Sequence, residues 1–255
     1  MARDRKNDHD FGDDTMLILY HGWTSTCSQK VRLALAEKGL TYEDRLVDLR
    51  AGEQHTPEFL ALNPGAEVPV LVHDGAVVTE STIINDYLEA AFPEPALLPA
   101  SPLSRARVAQ WNRWVDDDIT IPVKIPSFQQ NVYPAISQWT PERKAAMVAR
   151  IGNPITAARW RAAAEQGFSA EQLAEAHGKL RGFLQRLESA LEHADWLVDD
   201  QLTLADVNAF PFVERLSTLQ DYDLVRDWPA VAAWQERIRA RPSYASARFV
   251  RQTPT

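Results

Sequence analysis

Residues 68–91 read VPVLVHDGAVVTESTIINDYLEAA and carry the signals of a β-hairpin followed by a helix. Two runs rich in β-branched residues, 68–72 and 77–79, flank the dipeptide Asp74-Gly75, which is typical of tight hairpin turns. From Ser81 onward, apolar residues recur at helical spacing. We therefore predict two antiparallel strands and a helix that begins near Ser81.

A parallel β-α-β unit is predicted upstream of this hairpin. The apolar run 17–20 indicates a strand, and a loop rich in Gly, Ser and Thr leads into a helix that Gly39 ends. A second strand is expected within 42–49, and Pro57 is well placed as the first residue of a short helix. A β-α-β unit followed by a hairpin and a helix predicts a thioredoxin-like α/β domain.

Downstream of this domain the sequence pattern is almost entirely helical. Residues 92–102 contain four prolines and little periodicity, which indicates a linker. Two capping-box signals follow, one at Ser169 with Gln172 and one at Thr203 with Asp206. We predict a disordered tail at 1–15, a thioredoxin-like α/β N-terminal domain at 16–92, a linker at 93–102 and an all-α C-terminal domain at 103–255.

The composition excludes several classes of function. With 27 basic and 35 acidic residues the net charge is −8, which disfavours a nucleic-acid partner. A single cysteine, Cys27, allows no internal disulfide, and the scattered histidines form no metal-ligand set. No apolar run is long enough to span a membrane and the charged N-terminus has no secretory pattern, so we expect a cytoplasmic protein without a membrane partner.

The segment Ser25-Thr26-Cys27-Ser28 lies where the first strand passes into the first helix. A helix N-terminus presents unpaired N–H groups and the positive end of the helix dipole, so it stabilises a thiolate. The thiol may be that of Cys27 or that of a bound ligand. We expect Ser25 or Cys27 to contact the sulfur and Ser28 to begin or cap the helix.

Three further positions could hold an extended peptide. Pro69 opens a β-run, which is typical of an edge or a cis peptide bond, and would leave the backbone groups of Val68 free for pairing. Glu80 and Ser81, with Ser81 as the predicted cap, could bind the amino and carboxylate groups of an α-amino-acid end. Gln54 or His55 could bind a carboxylate at the other end.

In their order and spacing these motifs resemble the cytosolic glutathione transferases. The resemblance includes Phe59, Asn63-Pro64 and the segment 68–88, continues at 203–206 and 234–242, and covers about 17–250. It implies a glutathione transferase fold, glutathione as cosubstrate and a homodimer. It further implies that Val68, next to Pro69, pairs with the cysteinyl part of glutathione, that Glu80 and Ser81 hold the γ-glutamyl end, and that Gln54 lies near the glycyl carboxylate.

Two subfamily resemblances differ at the thiol. The turn 25–30 with Arg32 resembles zeta-class maleylacetoacetate isomerases and tetrachlorohydroquinone dehalogenases, in which a Ser activates glutathione and a Cys can resolve a glutathionyl intermediate. The segments 53–55, 73–75, 77–82 and 89–93, with Asn153-Pro154, Trp160-Arg161 and Gly167-Phe168, resemble bacterial β-aryl etherases.

The etherase resemblance implies that the glutathione thiolate attacks an aromatic electrophile, with cleavage of β-aryl ether bonds in lignin-derived dimers as the favoured function. The alternatives are a glutathione-dependent dehalogenase, isomerase or reductase that uses Cys27, and a non-catalytic ligand-binding module. A small aromatic substrate would lie between the domains, and we expect Trp111, Trp114 and Tyr133, with Phe128 and Trp160, to line its pocket.

Overall fold

The computed structural model describes residues 16–151 and 154–249. The predicted tail 1–15 and Asn153 of the etherase-like segment therefore lie outside the described residues. The N-terminal domain is built on a four-stranded sheet of order β2-β1-β3-β4, made of β1 (Leu17–His21), β2 (Glu43–Leu46), β3 (Val70–His73) and β4 (Ala76–Thr79). Strand β1 pairs parallel with β2 and antiparallel with β3, and β3 pairs antiparallel with β4.

Three helices complete this domain: α1 (Thr26–Glu37), α2 (Pro57–Leu62) and α3 (Ser81–Ala91). The predicted helix signals are confirmed, because Gly39 adopts a φ of 65° just after α1 and Pro57 is the first residue of α2. Helix α1 packs against α3 and also against the helical domain. The helix that carries the predicted thiol site is therefore part of the contact between the domains.

The connection from α3 to the next helix is held in place by a buried ion pair. Lys38 Nζ lies 2.6 Å from a Glu89 carboxylate oxygen and donates to the carbonyls of Phe92 and Pro95. The Glu89 carboxylate also accepts from the N–H groups of Leu97 and Leu98. The proline-rich segment is thus fixed by hydrogen bonds to α1 and α3.

The second domain is helical, as predicted. Its helices are α4 (Pro102–Trp114), α5 (Lys124–Asn131), α6 (Tyr133–Ile136), α7 (Pro141–Val148), α8 (Pro154–Gln166), α9 (Ala170–Leu191), α10 (Leu204–Leu216), α11 (Leu224–Asp227), α12 (Pro229–Arg239) and α13 (Pro242–Ser246). A π-helical turn, Val115–Ile119, continues α4. No helix in the described part of the chain is long and apolar enough to cross a lipid bilayer.

Both predicted capping boxes are present. Ser169 and Gln172 cap α9, and Thr203 and Asp206 cap α10. Asp206 is fully buried and also accepts from the indole N–H of Trp234 and the backbone N–H of Leu197. One carboxylate therefore fixes the start of α10 and its packing against α12.

The apolar core is continuous between the two domains. One large cluster joins Leu19 and Leu33 of the N-terminal domain to Leu184, Phe210 and Trp234 of the helical domain. A smaller cluster lies within 128–168 around Phe128, where α5, α6 and α8 meet. The segment α5–α8, called the insert below, therefore has a core of its own.

A chain of amides crosses the domain boundary within the large core. Asn85 Nδ2 of α3 donates to Asn208 Oδ1 of α10 at 2.6 Å, and Asn208 Nδ2 donates to Asn112 Oδ1 of α4 at 2.9 Å. All three side chains are buried. Polar groups in a core cost free energy unless they are paired, so these amides fix the relative position of the three helices.

Candidate active site

Ser25 caps α1 at the turn that follows β1. Its Oγ accepts from the Ser28 N–H at 3.2 Å, which leaves the hydroxyl proton available to another acceptor. Within the described chain no acceptor meets the N–H groups of Thr26 and Cys27. The turn thus presents a hydroxyl and two N–H groups at the positive end of a helix, an arrangement that binds an anion.

Ser28 is placed differently from its prediction. It is the third residue of α1 rather than its first residue or cap, and it is fully buried. Its Oγ accepts from the Gly22 N–H at 3.1 Å. Ser25, whose backbone angles are extended, is the cap of α1. The buried Ser28 side chain instead stabilises the preceding loop through its hydrogen bond with Gly22, and it does not face a ligand.

Cys27 is the second residue of α1, and its half-buried side chain packs against the large core. Its backbone N–H, rather than its thiol, belongs to the anion-binding face of the turn.

A buried polar network supports the turn. Arg32 Nη1 donates to His21 Nδ1 at 3.1 Å, and His21 Nε2 lies 2.6 Å from Asp44 Oδ1. Burial lowers the pKa of His21, so the ring is neutral with its proton on Nε2, as these two partners require. Arg32 also donates to the Trp23 carbonyl, and burial lowers the pKa of Arg32 to about 10. Sequence reasoning missed this network, because its members are distant in sequence and join only in the fold.

The peptide bond between Val68 and Pro69 is cis, in agreement with one of the two interpretations of Pro69. Pro69 is buried and Val68 is half-buried, directly before β3. No described residue bonds to the N–H or C=O of Val68. These two groups fit an extended ligand that lies along the end of the strand.

Glu80, not Ser81, occupies the cap position of α3. It has a φ of 67° and makes no side-chain capping bond. Ser81 is the first residue of α3, is 8% exposed, and its N–H finds no acceptor in the described residues. Glu80 is exposed beside it, so a carboxylate and a helix N-terminus adjoin, which suits an α-amino-acid group.

Gln54 lies in a 3-10 turn, Glu53–His55, after β2. Its Oε1 is buried without a partner, and its Nε2 is 3.3 Å from His55 Nε2. Arg150, just after α7, donates to the Ala51 carbonyl at 2.7 Å. Arg150, His55 and neighbouring residues line a cavity of about 280 Å³. The insert therefore reaches the loop that carries Gln54.

Comparisons with known proteins decide which family this site belongs to. The family model of the glutathione S-transferase N-terminal domain matches residues 24–91, and that of the C-terminal domain matches 145–242. Protein LigF of Sphingobium sp. strain SYK-6 is 36% identical over 234 residues, which cover 89% of this chain and 91% of LigF. The chain belongs to the glutathione S-transferase family. The predicted fold, the predicted glutathione transferase enzyme and glutathione as its cosubstrate are thereby confirmed.

Further relatives of this transferase agree with both subfamily resemblances. Maleylacetoacetate isomerase of Pseudomonas aeruginosa is 31% identical over 93% of this chain and 98% of its own length. The crystal structure of the beta-etherase LigF superposes with a TM-score of 0.84 at 35% identity, over 91% of this chain and 98% of LigF. Glutathione transferase F7 of Populus trichocarpa gives a TM-score of 0.72 at 27% identity, over 91% and 97%.

The aromatic residues predicted to line the transferase pocket fall into two groups. Trp111 is 6% exposed and belongs to the large core, where its ring meets Trp114 and Phe183 at centroid distances of 5.0 and 6.2 Å. Trp114 is half-buried, and the Arg186 guanidinium lies 4.3 Å from its ring centroid. The ring of Trp111 is therefore largely enclosed by the core, and its contact with a substrate stays a prediction.

Tyr133 belongs to the second group, in the insert. The Phe128 ring lies 6.4 Å from Tyr133, 5.3 Å from Trp160 and 5.6 Å from Phe168, centroid to centroid. Phe128 is buried, whereas Trp160 is 37% exposed. Trp160 therefore presents the accessible aromatic surface of this cluster.

One polar residue of the transferase site was missed altogether. Arg215, near the end of α10, donates from Nη2 to the Thr24 carbonyl at 2.8 Å. Thr24 precedes Ser25, so the helical domain places a positive charge beside the turn formed by residues 25–28, which is called the thiol turn below. The only signal in the sequence is one arginine in a mostly apolar helix, which does not identify its partner.

Proposed function

We propose that this transferase uses the glutathione thiolate to cleave β-aryl ether bonds in lignin-derived aromatic dimers. The observation that carries the proposal is the similarity to the beta-etherase LigF, which covers about nine tenths of this chain. We further infer a homodimer, on the family resemblance alone, and a cytoplasmic location, which the single cysteine fits.

The proposed binding of glutathione follows from the groups that the site leaves free. Val68, oriented by Pro69, offers its N–H and C=O to the cysteinyl part. Glu80 accepts from the γ-glutamyl ammonium, and Ser81 donates to the adjacent carboxylate. Gln54 takes the glycyl end. These groups lie on three separate segments at one end of the sheet, where β2 and β4 end and β3 begins, as an extended tripeptide requires.

The proposed chemistry needs no redox partner. Ser25 donates its hydroxyl proton in a hydrogen bond to the sulfur, which favours the thiolate, and the thiol proton passes to solvent. The thiolate attacks the carbon that bears the aryl ether oxygen, next to a ketone. The carbon–sulfur bond forms, the carbon–oxygen bond breaks, and the phenolate leaves with the electron pair. Tyr133, Trp114 and Trp160 are the proposed aromatic contacts of the substrate.

A second candidate is isomerase, dehalogenase or reductase chemistry that uses Cys27. The Ser-x-Cys-Ser turn and the similarity to maleylacetoacetate isomerase favour it. Against it, the half-buried Cys27 side chain packs against the core, whereas Ser25 caps α1 and keeps a hydroxyl proton that it could donate to the glutathione sulfur.

The test is to incubate the protein with glutathione and a β-aryl ether dimer that carries an α-ketone, and to follow phenol release. We expect glutathione-dependent release that survives Cys27→Ala and falls in Ser25→Ala. If no phenol is released but a halogenated hydroquinone or maleylacetoacetate is turned over in a Cys27-dependent reaction, the second candidate is correct.

A further inference from the structure

Arg215 brings a positive charge to the thiol turn without a negative partner. Its guanidinium donates to the Thr24 carbonyl at 2.8 Å and makes no ion pair within 16–151 and 154–249. The side chain is half-buried between the domains. Burial lowers the pKa of Arg215, and no neighbouring carboxylate opposes this effect.

The carboxylate of the adjacent residue, Glu214, already accepts hydrogen bonds from three other side chains. Its Oε2 accepts from Gln235 Nε2 at 2.8 Å and from Arg239 Nε at 3.0 Å, and its Oε1 accepts from the Tyr244 hydroxyl at 2.9 Å. Glu214 therefore points away from Arg215 and neutralises a different arginine.

Lys30, another cation at the contact between the domains, does have an acid. Its Nζ lies 3.2 Å from Asp116 Oδ1. A charge that has lost part of its hydration requires a compensating charge or strong hydrogen bonds. In the described part of the chain Arg215 has no such acid, and its hydrogen bond to the Thr24 carbonyl engages only Nη2, so its other N–H groups can donate to an anionic ligand at this turn.

The position of Arg215 indicates which anion this is. Its hydrogen-bonded carbonyl belongs to Thr24, directly before Ser25 and the free N–H groups of Thr26 and Cys27. In an in-line displacement the leaving oxygen lies on the far side of the attacked carbon from the sulfur. A charge attached to the turn is thus closer to the sulfur than to the departing phenolate.

We propose that Arg215 supplies, from the helical domain, the counter-charge of the glutathione thiolate bound at the Ser25 turn. The inference rests on the proposed function only in requiring glutathione at this turn, and not on the identity of the aromatic substrate. A cation beside a thiol favours its ionised form. The two domains therefore share the activation of the nucleophile, with a hydroxyl and helix end from one and a guanidinium from the other.

The test is to titrate the thiol of enzyme-bound glutathione by thiolate absorbance in the wild type, Arg215→Gln and Arg215→Lys. Gln keeps a donor for the Thr24 carbonyl and removes the charge, whereas Lys keeps the charge. We expect Gln to raise the pKa of the bound thiol by about one unit and Lys to raise it by less, in line with the usual effect of a neighbouring cation. Arg226→Gln, which removes an equal charge from an exposed ion pair on α11, is the matched control and should leave the titration unchanged.

An unchanged thiol pKa in Arg215→Gln overturns the proposal. A thiol pKa that stays the same while the rate becomes more sensitive to the acidity of the released phenol also overturns it, because Arg215 then acts on the leaving group. If Gln impairs folding, the Lys variant provides the test. A Lys variant that binds glutathione but titrates like free glutathione also overturns the proposal, because the positive charge is then present without lowering the pKa of the thiol. The titration uses glutathione alone, so the absence of ether cleavage would refute the proposed substrate without affecting this result.

Discussion

The ammonium of Lys30 in α1 lies 3.2 Å from the carboxylate of Asp116 in the π-helical turn of the other domain. The Lys30 side chain is fully buried, whereas that of Asp116 is 43% exposed. Thr82 connects the two, since its Oγ1 accepts from Lys30 at 2.6 Å and donates to Asp116 at 2.9 Å. Thr82 follows Ser81, so this ion pair also supports the proposed γ-glutamyl site.

The unequal burial of this pair predicts unequal effects of mutation. Asp116→Ala leaves a buried ammonium without its carboxylate and should cost about 3 kcal/mol of unfolding free energy. Lys30→Met removes the buried charge and keeps the volume, and should cost less, about 1 kcal/mol. Urea unfolding of both variants provides the comparison, and a larger loss in Lys30→Met would show that the charge is not buried as described.

The two serines of the thiol turn should separate stability from chemistry. Ser28→Ala leaves the buried Gly22 N–H unpaired, which should cost about 1–2 kcal/mol of stability while the rate with bound glutathione stays near that of the wild type. Ser25→Ala should cost about 1 kcal/mol as a lost helix cap and reduce the rate on the order of 100-fold, because a donor to the sulfur is lost. Unfolding curves and glutathione-dependent rates on the same preparations decide this, and a Ser25→Ala rate near that of the wild type would contradict the proposed contact between its hydroxyl and the sulfur.

The two groups of aromatic residues should respond differently to truncation. Trp111→Ala opens a cavity in the large core and should destabilise the protein by about 3–5 kcal/mol, while Trp111→Phe should be much milder. Trp160→Ala should change stability by less than about 1 kcal/mol, because the ring is 37% exposed. It should raise the KM for the aromatic substrate several-fold and leave the KM for glutathione unaltered. A rise in the glutathione KM instead would place Trp160 at the peptide site.

Burial of His21 predicts a stability that depends on pH. Burial lowers the pKa of His21 in the folded state, so the unfolded chain binds more protons below its own pKa of about 6.5. The stabilising difference is complete above that pH and is lost as the pH falls from about 6.5 towards the folded value. Unfolding free energies measured between pH 7.5 and 5 should fall more steeply for the wild type than for His21→Gln, which cannot titrate.

Two other titrating groups, His55 and Asp44, do not obscure this comparison. Burial also lowers the pKa of His55, but that contribution is common to wild type and variant and cancels in the difference. Although burial alone raises the pKa of Asp44, hydrogen bonds from His21 and Arg248 lower it overall, so Asp44 loses its stabilising effect only at more acidic pH. Parallel curves for the wild type and His21→Gln would mean that the imidazole is not desolvated.

The helix ends and capping boxes that were predicted correctly from the sequence depend on local signals. Gly39, Pro57 and the capping boxes each act within a few residues, and each was found where it was expected. The position of Ser28 was not predictable, because a one-residue shift of the helix start exchanges a capping serine for a buried one. The insert was also not resolved into helices from its pattern, since its small core forms only when α5, α6 and α8 meet.

Long-range polar contacts were beyond such reasoning for a different reason. Arg215 and Thr24 are 191 residues apart, and Arg248 and Asp44 are 204 apart. A charged residue in a helix looks the same in the sequence whether it faces water or another domain. Trp111 shows the converse, because an aromatic on a helix stripe suits a core and a pocket equally.

The amide chain Asn85–Asn208–Asn112 bears on how the two halves of this protein could be recombined with those of its relatives. A chimera that joins this N-terminal half to a foreign helical half would place Asn85 opposite whatever side chain its new partner carries at the position of Asn208. An apolar side chain there would leave a buried amide with no hydrogen bond, at a cost of about 1–3 kcal/mol for each stranded group. The sequence predicts a linker at 93–102, but the buried amides join the two halves across it, and the unit that can be exchanged between family members is the matched pair of halves.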